Sequence, residues 1–279
     1  MALRPEVVGE TTDTLVHQLE WKDAVLYALG VGAKRDELDY LYEGRGPRVL
    51  PTYAVIPTFP AMDALFEKTG GDLLGVVHGA QSITLHRPFI AGEKLFTVGK
   101  VDGIYDMKRM AQAIFTTETK DAAGGLVCET EWQILFRLDG GFGGERPPQS
   151  LRNRKPEREP DFEITEKTTE EQALLYRLSG DLNPLHADPA IGEKAGFGQP
   201  ILHGLCTYGY AGRAVLNALC DGDPAKLKSL RGQFRKPVWP GETLITRGWR
   251  EGDEVILRVS TAERPDEDCF TNASATITD

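Results

Sequence analysis

The stretch LYRLSGDLNPLH, residues 175 to 186, decides how the rest of the chain is read, because its first half occurs twice. At an offset of 149 positions (175 − 26) it lies over LYALGVG, residues 26 to 32, with two Leu and the Tyr in register. The same offset sets Pro51 over Pro200. It also sets RPFIAGEKL (87 to 95) over KPVWPGETL (236 to 244), where Pro, Gly, Glu and Leu coincide. Chance matches scatter over many offsets, so three blocks on one ungapped offset indicate an internal duplication. Between the copies runs DGGFGGERPPQSLRNRKPEREP, residues 139 to 160, rich in Gly, Pro and charge and without apolar period. That composition reads as a linker or a long crossing loop. The expected division is 1–150 and 151–279.

Each copy repeats one order of elements. An amphipathic helical stretch opens it: EWKDAVLYALGV in the first, KTTEEQALLYRLSG in the second, where Thr169 and Gln172 have capping-box spacing. A second helix follows the shared Pro. In the second copy it is HGLCTYGYAGRAVLNAL, residues 203 to 219, whose Gly204, Gly209, Ala211 and Gly212 would admit strands or a ligand close to the backbone. In the first copy Pro57 and Pro60 break it, so that helix should be kinked, late-starting or displaced, leaving room nearby either for a differently packed core or for a bulky substrate tail. Alternating β-branched segments then read as antiparallel strands. A long helix wrapped by a curved antiparallel sheet is an α+β layout, and two copies can pair their sheets edge to edge.

Composition closes off several alternatives. The net charge of −10 argues against nucleic acid, which calls for clustered Lys and Arg. No run approaches the ~18 apolar residues of a membrane span, the N-terminus lacks a signal peptide's apolar core, and SATITD at the C-terminus is no targeting address. A cytoplasmic location is expected. Four scattered cysteines without a C-x-x-C pair read as buried apolar residues in a reducing compartment, and no metal site is expected.

The two copies disagree at one place. Gly32 lies over Asp181, Lys34 over Asn183, Glu37 over His186 and Val55 over Gly204. Ser-Gly-Asp-x-Asn-Pro is good turn chemistry by itself. If the polar trio served only the turn, the first copy would need it too. An Asp and a His brought together can move protons. Gly204, at a helix start, adds unpaired N–H groups for a developing oxyanion. No G-x-S-x-G elbow supplies a nucleophile. A base pair plus an oxyanion donor suits addition or removal of water beside a thioester carbonyl.

YRLSGDLNPLH resembles the signature of the MaoC-like dehydratases, also called type 2 enoyl-CoA hydratases: an aromatic residue, then S/T-G-D-x-N-P-aliphatic-H. Every element is present, and PILHGLCTYG (200 to 209) is similar to the helix start that follows it. The resemblance covers the whole chain and implies a double hot-dog fold with a degenerate N-terminal repeat that shapes the acyl pocket. It implies Asp181, His186, Asn183 and Gly204 as catalytic residues. Tyr176, Ser179, Gly180 and His203 stand with them as substrate-side residues, and Arg213, Arg235 and Lys236 are candidates for phosphate contact. It further implies an (R)-3-hydroxyacyl-CoA product, an acyl-CoA partner, no cofactor beyond the coenzyme A that the substrate carries, and a homodimer. A non-catalytic acyl-CoA-binding partner and a hot-dog thioesterase are the alternatives.

Overall fold

The computed structural model describes residues 2–72, 75–149 and 152–279; the expected boundary between 150 and 151 falls outside them. The first repeat contains β1 (Leu15–Gln18), α1 (Trp21–Gly30), α2 (Leu38–Leu41), α3 (Phe59–Thr69), β2 (Val76–Leu85), β3 (Lys94–Asp106), β4 (Ala111–Asp121) and β5 (Leu126–Phe136). The second contains β6 (Phe162–Lys167), α4 (Gln172–Tyr176), α5 (Pro189–Lys194), α6 (Gly204–Leu219), β7 (Leu227–Phe234), β8 (Thr243–Glu251), β9 (Glu254–Thr261) and β10 (Arg264–Ile277).

The strands form a single ten-stranded sheet in the order β1-β3-β4-β5-β2-β7-β10-β9-β8-β6. The second half of that order repeats the first in reverse, so the duplication appears as a pseudo-twofold about the β2–β7 seam. The seam is antiparallel and runs from Ala80 opposite Gln233 to Thr84 opposite Ser229. The fold is the expected α+β double hot-dog. The strands that join its halves, β2 and β7, lie outside the segments whose alternation reads as strand, 94–104, 109–120 and 126–138 in the first copy and 243–251, 254–263 and 269–278 in the second. Their burial does not alternate regularly, because they sit mid-sheet under helices on one face.

Helix α6 is the buried axis of the second repeat, with twelve of its residues out of solvent contact. Two of its glycines, Gly209 and Gly212, admit side chains of the other repeat. A Cβ on Gly209 would lie 2.3 Å from Val31, and one on Gly212 would lie 2.6 Å from Thr52. In the first repeat the corresponding chain runs as a 3-10 helix over Pro51–Thr58, and α3 begins only at Phe59. Pro57 and Pro60 lack the N–H groups that an α-helical start further back would use, so the helix is late-starting as the sequence suggests. Helix α4 is shorter than its pattern suggests. It ends at Tyr176 and tightens into a 3-10 turn over Arg177–Ser179. The Thr169 N–H does reach the Gln172 side-chain oxygen Oε1, at 3.4 Å. All four cysteines are free and buried. No helix among the described residues is long and apolar enough to cross a membrane.

Candidate active site

The corner after α4 is built from its own polar groups. Gly180 takes φ 132°, a backbone region suited to glycine. The Asp181 carboxylate accepts the Asn183 N–H at 3.2 Å, and the Asn183 side-chain oxygen accepts the Leu185 N–H at 3.0 Å. Pro184 then opens a 3-10 turn, Pro184–His186, with Asn183 as its cap. Asp188 caps α5 in the same manner, accepting the Ala190 N–H at 2.9 Å. Asn183 is thus partly committed to the turn that aims His186.

The turn brings Asp181 and His186 to His203, the residue before α6, with one potential donor atom of each within 4.8 Å of the others. The imidazoles of His186 and His203 stack, centroids 3.7 Å apart and planes 26° apart. His186 Nδ1 lies 2.8 Å from the Ile201 carbonyl oxygen. A carbonyl only accepts, so Nδ1 carries the proton and Nε2 keeps a lone pair. His203 Nε2 likewise donates to the Asp181 carbonyl oxygen at 3.2 Å, which leaves its buried Nδ1 without a partner. Imidazole lone pairs lie in the ring plane, and stacked rings carry them side by side rather than toward one point. The geometry suits proton transfer at His186 Nε2 and Asp181 better than a shared ion.

Burial pushes the Asp181 carboxyl above its ordinary value, against the opposing pull of His186. Burial pushes His186 below its ordinary value, against the opposing pull of Asp181. His203 is held well below, by burial and then by the neighbouring His186. The two imidazoles therefore favour their neutral forms. Nearby, Gly204 opens α6 with no side chain capping that end, so its first N–H groups lack helical partners.

The other expected residues divide. The Tyr176 ring is fully buried 4.9 Å from that of His203, and its hydroxyl has no partner. The Ser179 hydroxyl is also buried without a partner. Arg213 is corrected. Only 2 % exposed, its guanidinium is held between Glu37, at 2.6 Å, and Glu166, with a further bond to the Val31 carbonyl. A guanidinium so enclosed ties the repeats together and does not reach a phosphate. Lys236 pairs with Glu267 at the surface, at 3.1 Å, and Arg235 is exposed.

Sequence reasoning missed an aromatic row. Phe59 lies 3.1 Å from where a Gly180 Cβ would be, and Phe234 lies 3.1 Å from the same point on Gly204. Between them Phe59 meets Trp132 edge-on at 5.6 Å, Trp132 stacks on His78 at 4.8 Å, and His78 meets Phe234 at 4.9 Å. A register shift at Gly79 in the β2–β5 pairing accompanies the turn of His78 into this row. The signal available was the His78-Gly79 pair within a strand-like segment. Two clefts of about 500 and 490 Å³ lie on the first repeat, against Arg4, Glu67 and Lys68 and against Thr116, Thr130 and Glu131, away from this corner.

Fold and corner together define an α+β double hot-dog protein with a buried Asp–His–His cluster in one of its two repeats. Residues 152–268 match the MaoC like domain, and residues 17–138 match the MFE-2 hydratase 2 N-terminal domain. The chain is 42 % identical over 270 residues to 3-hydroxyacyl-thioester dehydratase Y of Mycobacterium tuberculosis, covering 94 % of this chain and 93 % of that protein. It is 38 % identical to the peroxisomal enoyl-CoA hydratase 2 of Arabidopsis thaliana, over 87 % and 85 % of the two chains. A crystal structure of a MaoC-like dehydratase from Phytophthora capsici superposes with a TM-score of 0.89 at 30 % identity, covering 99 % and 98 %. The chain belongs to the MaoC-like dehydratase and hydratase 2 family and is a hydro-lyase.

Proposed function

We propose that the protein reversibly hydrates a trans-2-enoyl-CoA to the (R)-3-hydroxyacyl-CoA, with Asp181 and His186 as the acid–base pair. Hydration of an enoyl-CoA is the activity its relatives' names carry. The observation that carries the residue assignment is His186, whose Nδ1–H is committed to the Ile201 carbonyl so that Nε2 faces the site as an acceptor beside Asp181.

Water held between Asp181 and His186 gives one proton to the pair as its oxygen bonds to Cβ of the substrate. The C=C electrons shift toward the thioester, and the charge on its oxygen is met by the Gly204 N–H at the positive end of α6. The pair then returns one proton to Cα. One water has been added, the pair's proton count is unchanged, and no acyl-enzyme forms. Asn183 holds the turn on which this depends. The acyl chain would run along the Phe59, His78 and Phe234 rings of the aromatic row, in the space left by the late start of α3. Coenzyme A enters with the substrate, and no other cofactor takes part. Arg235 and Lys236 stand as candidates for its phosphates.

Incubation with trans-2-enoyl-CoA thioesters of several lengths tests the reading. Loss of conjugated-thioester absorbance with formation of the (R)-alcohol supports it. Release of free CoA thiol would point to a thioesterase instead. Binding without turnover would point to an acyl-CoA-binding partner. A homodimer in the cytoplasm completes the proposal. Sedimentation decides the first, and cell fractionation decides the second, since some relatives are named as peroxisomal.

A further inference from the structure

A general base works only while its lone pair is held toward the proton it takes. Four polar atoms of the Asp181 corner, Tyr176 Oη, Arg177 Nε, Ser179 Oγ and His203 Nδ1, are buried without a hydrogen-bond partner. Packing therefore has to do much of the holding, and one side chain touches both members of the pair. The His203 ring stacks on that of His186, centroids 3.7 Å apart and planes 26° apart. Its Nε2–H donates to the Asp181 main-chain carbonyl at 3.2 Å. His203 is 0 % exposed, and the Tyr176 ring meets it at 4.9 Å, so the imidazole is itself enclosed. As core filling alone, a ring with one buried nitrogen left unpaired is a poor choice.

The local backbone shows how one residue serves both partners. Residues 201 to 203 form a continuous support for His186. The Ile201 carbonyl takes its Nδ1–H at 2.8 Å, the Leu202 N–H is pinned to the Val238 carbonyl at 2.7 Å, and the His203 ring covers its face. A single bond at one ring edge leaves the imidazole free to swing about that bond, and a second ring packed on its face stops the swing. The His203 carbonyl then accepts the Cys206 and Thr207 N–H groups at 3.0 and 3.3 Å, which starts α6 with Gly204 directly after it. The first repeat supplies the control. At the same offset (203 − 54) Ala54 stands in place of His203, fully buried, just as Gly32 stands in place of Asp181 and Glu37 in place of His186. The repeat without the pair has no ring there.

We infer that His203 is a positioning residue for the acid–base pair, holding His186 through its stacked face and Asp181 through its main-chain carbonyl. This rests on the proposed hydratase reading for its consequence in turnover, though not for its geometry. Burial first, and the neighbouring His186 next, keep His203 well below its ordinary value. A proton that His186 Nε2 takes from water then lies over a neutral ring and not beside a second cation.

Histidine-labelled protein without substrate, read by ¹⁵N NMR for ring tautomers, tests the geometry, and steady-state hydration of a trans-2-enoyl-CoA tests the consequence. Wild type is expected to carry the proton of His186 on Nδ1 and that of His203 on Nε2, with a nuclear Overhauser contact between the two rings. His203→Gln keeps a donor within reach of Asp181 and removes the stacked ring. It should let His186 mix its tautomers, with kcat down about 10²-fold, the cost of a misplaced group, and KM little changed. His203→Phe keeps a flat ring over His186 and removes the donor. It should hold the Nδ1 tautomer and lose about tenfold in kcat, the scale of one hydrogen bond. Wild-type His186 protonated at Nε2, or rings without mutual contact, would overturn the inference whether or not either variant folds. So would an unchanged His186 tautomer in a folded His203→Gln protein. A raised KM at unchanged kcat would overturn it too, by making His203 a substrate contact. If wild type hydrates no enoyl thioester, the proposed function fails by itself, and the tautomers still decide the role of His203.

Discussion

The corner at residues 27 to 37 and the corner at residues 176 to 186 descend from one unit and are used in opposite ways. In the first, the Tyr210 ring fills the space over Gly32, 2.4 Å from where a Cβ would be. Glu37, at the position matching His186, accepts the Lys34 N–H at 2.7 Å and binds Arg213 at 2.6 Å. Glu37 is thereby turned into packing between the repeats, and of that corner's side chains only Tyr27 keeps a buried polar atom unpaired among the described residues. In the second, the matching space holds Asp181 and the stacked imidazoles, with four buried polar atoms left unpaired. A corner that satisfies its polar groups stabilises the fold. One that leaves them open weakens the fold and keeps them available to water and substrate.

That contrast can be broken from either side. The largest effect belongs to the working corner: His186→Ala should cost about 10³-fold in kcat, the middle of the range for one acid–base group, with the melting temperature retained. Steady-state hydration beside a thermal melt checks it. On the packed corner, Arg213→Met removes a cation between two enclosed carboxylates. Burial already holds Glu166 above its ordinary value despite Arg213, so loss of the partner should destabilise by about 3–5 kcal/mol, read by urea unfolding. Gly32→Ala sharpens the point. It must place a methyl against Tyr210 at φ 82°, and overpacking of this kind costs about 1–3 kcal/mol.

A smaller effect lies in the aromatic row. Burial pushes His78 down to about 4 from its ordinary 6.5. Its folded form therefore resists a proton that the unfolded chain takes up below 6.5. The stability this group contributes is full above 6.5 and is lost as pH falls toward 4. His78→Phe should make the fall in unfolding free energy over that window shallower, by on the order of 1 kcal/mol per pH unit at most. Equal slopes in the two proteins would place His78 outside an enclosed environment.

Much of this was legible in the sequence because the duplication acted as an internal control. The offset that aligned LYALGVG with LYRLSGD carries β1 onto β6 and β3 onto β8, and it separates shared scaffold from the unshared Asp181, Asn183 and His186. The late start of α3 was legible from Pro57 and Pro60 because proline acts locally. The role of Arg213 was not legible, since its partners Glu37 and Glu166 lie 176 and 47 residues away and only the pseudo-twofold brings them together. The aromatic row was hidden for the same reason. Phe59, His78, Trp132 and Phe234 come from α3, β2, β5 and β7, and their contact depends on a strand irregularity at Gly79. The brevity of α4 was hidden because its apolar period runs on through Leu178, while the chain tightens to place Gly180.

The most direct test crosses the two corners: hydration rate and unfolding free energy are measured together for wild type, Asp181→Asn and Glu37→Gln. The account predicts opposite signatures. Asp181→Asn should lose hydration by about 10³-fold and keep or gain stability, and Glu37→Gln should lose stability and keep its rate once folded. If Asp181→Asn unfolds while retaining its rate, or if Glu37→Gln abolishes turnover in a stable protein, the division of labour between the two corners is wrong.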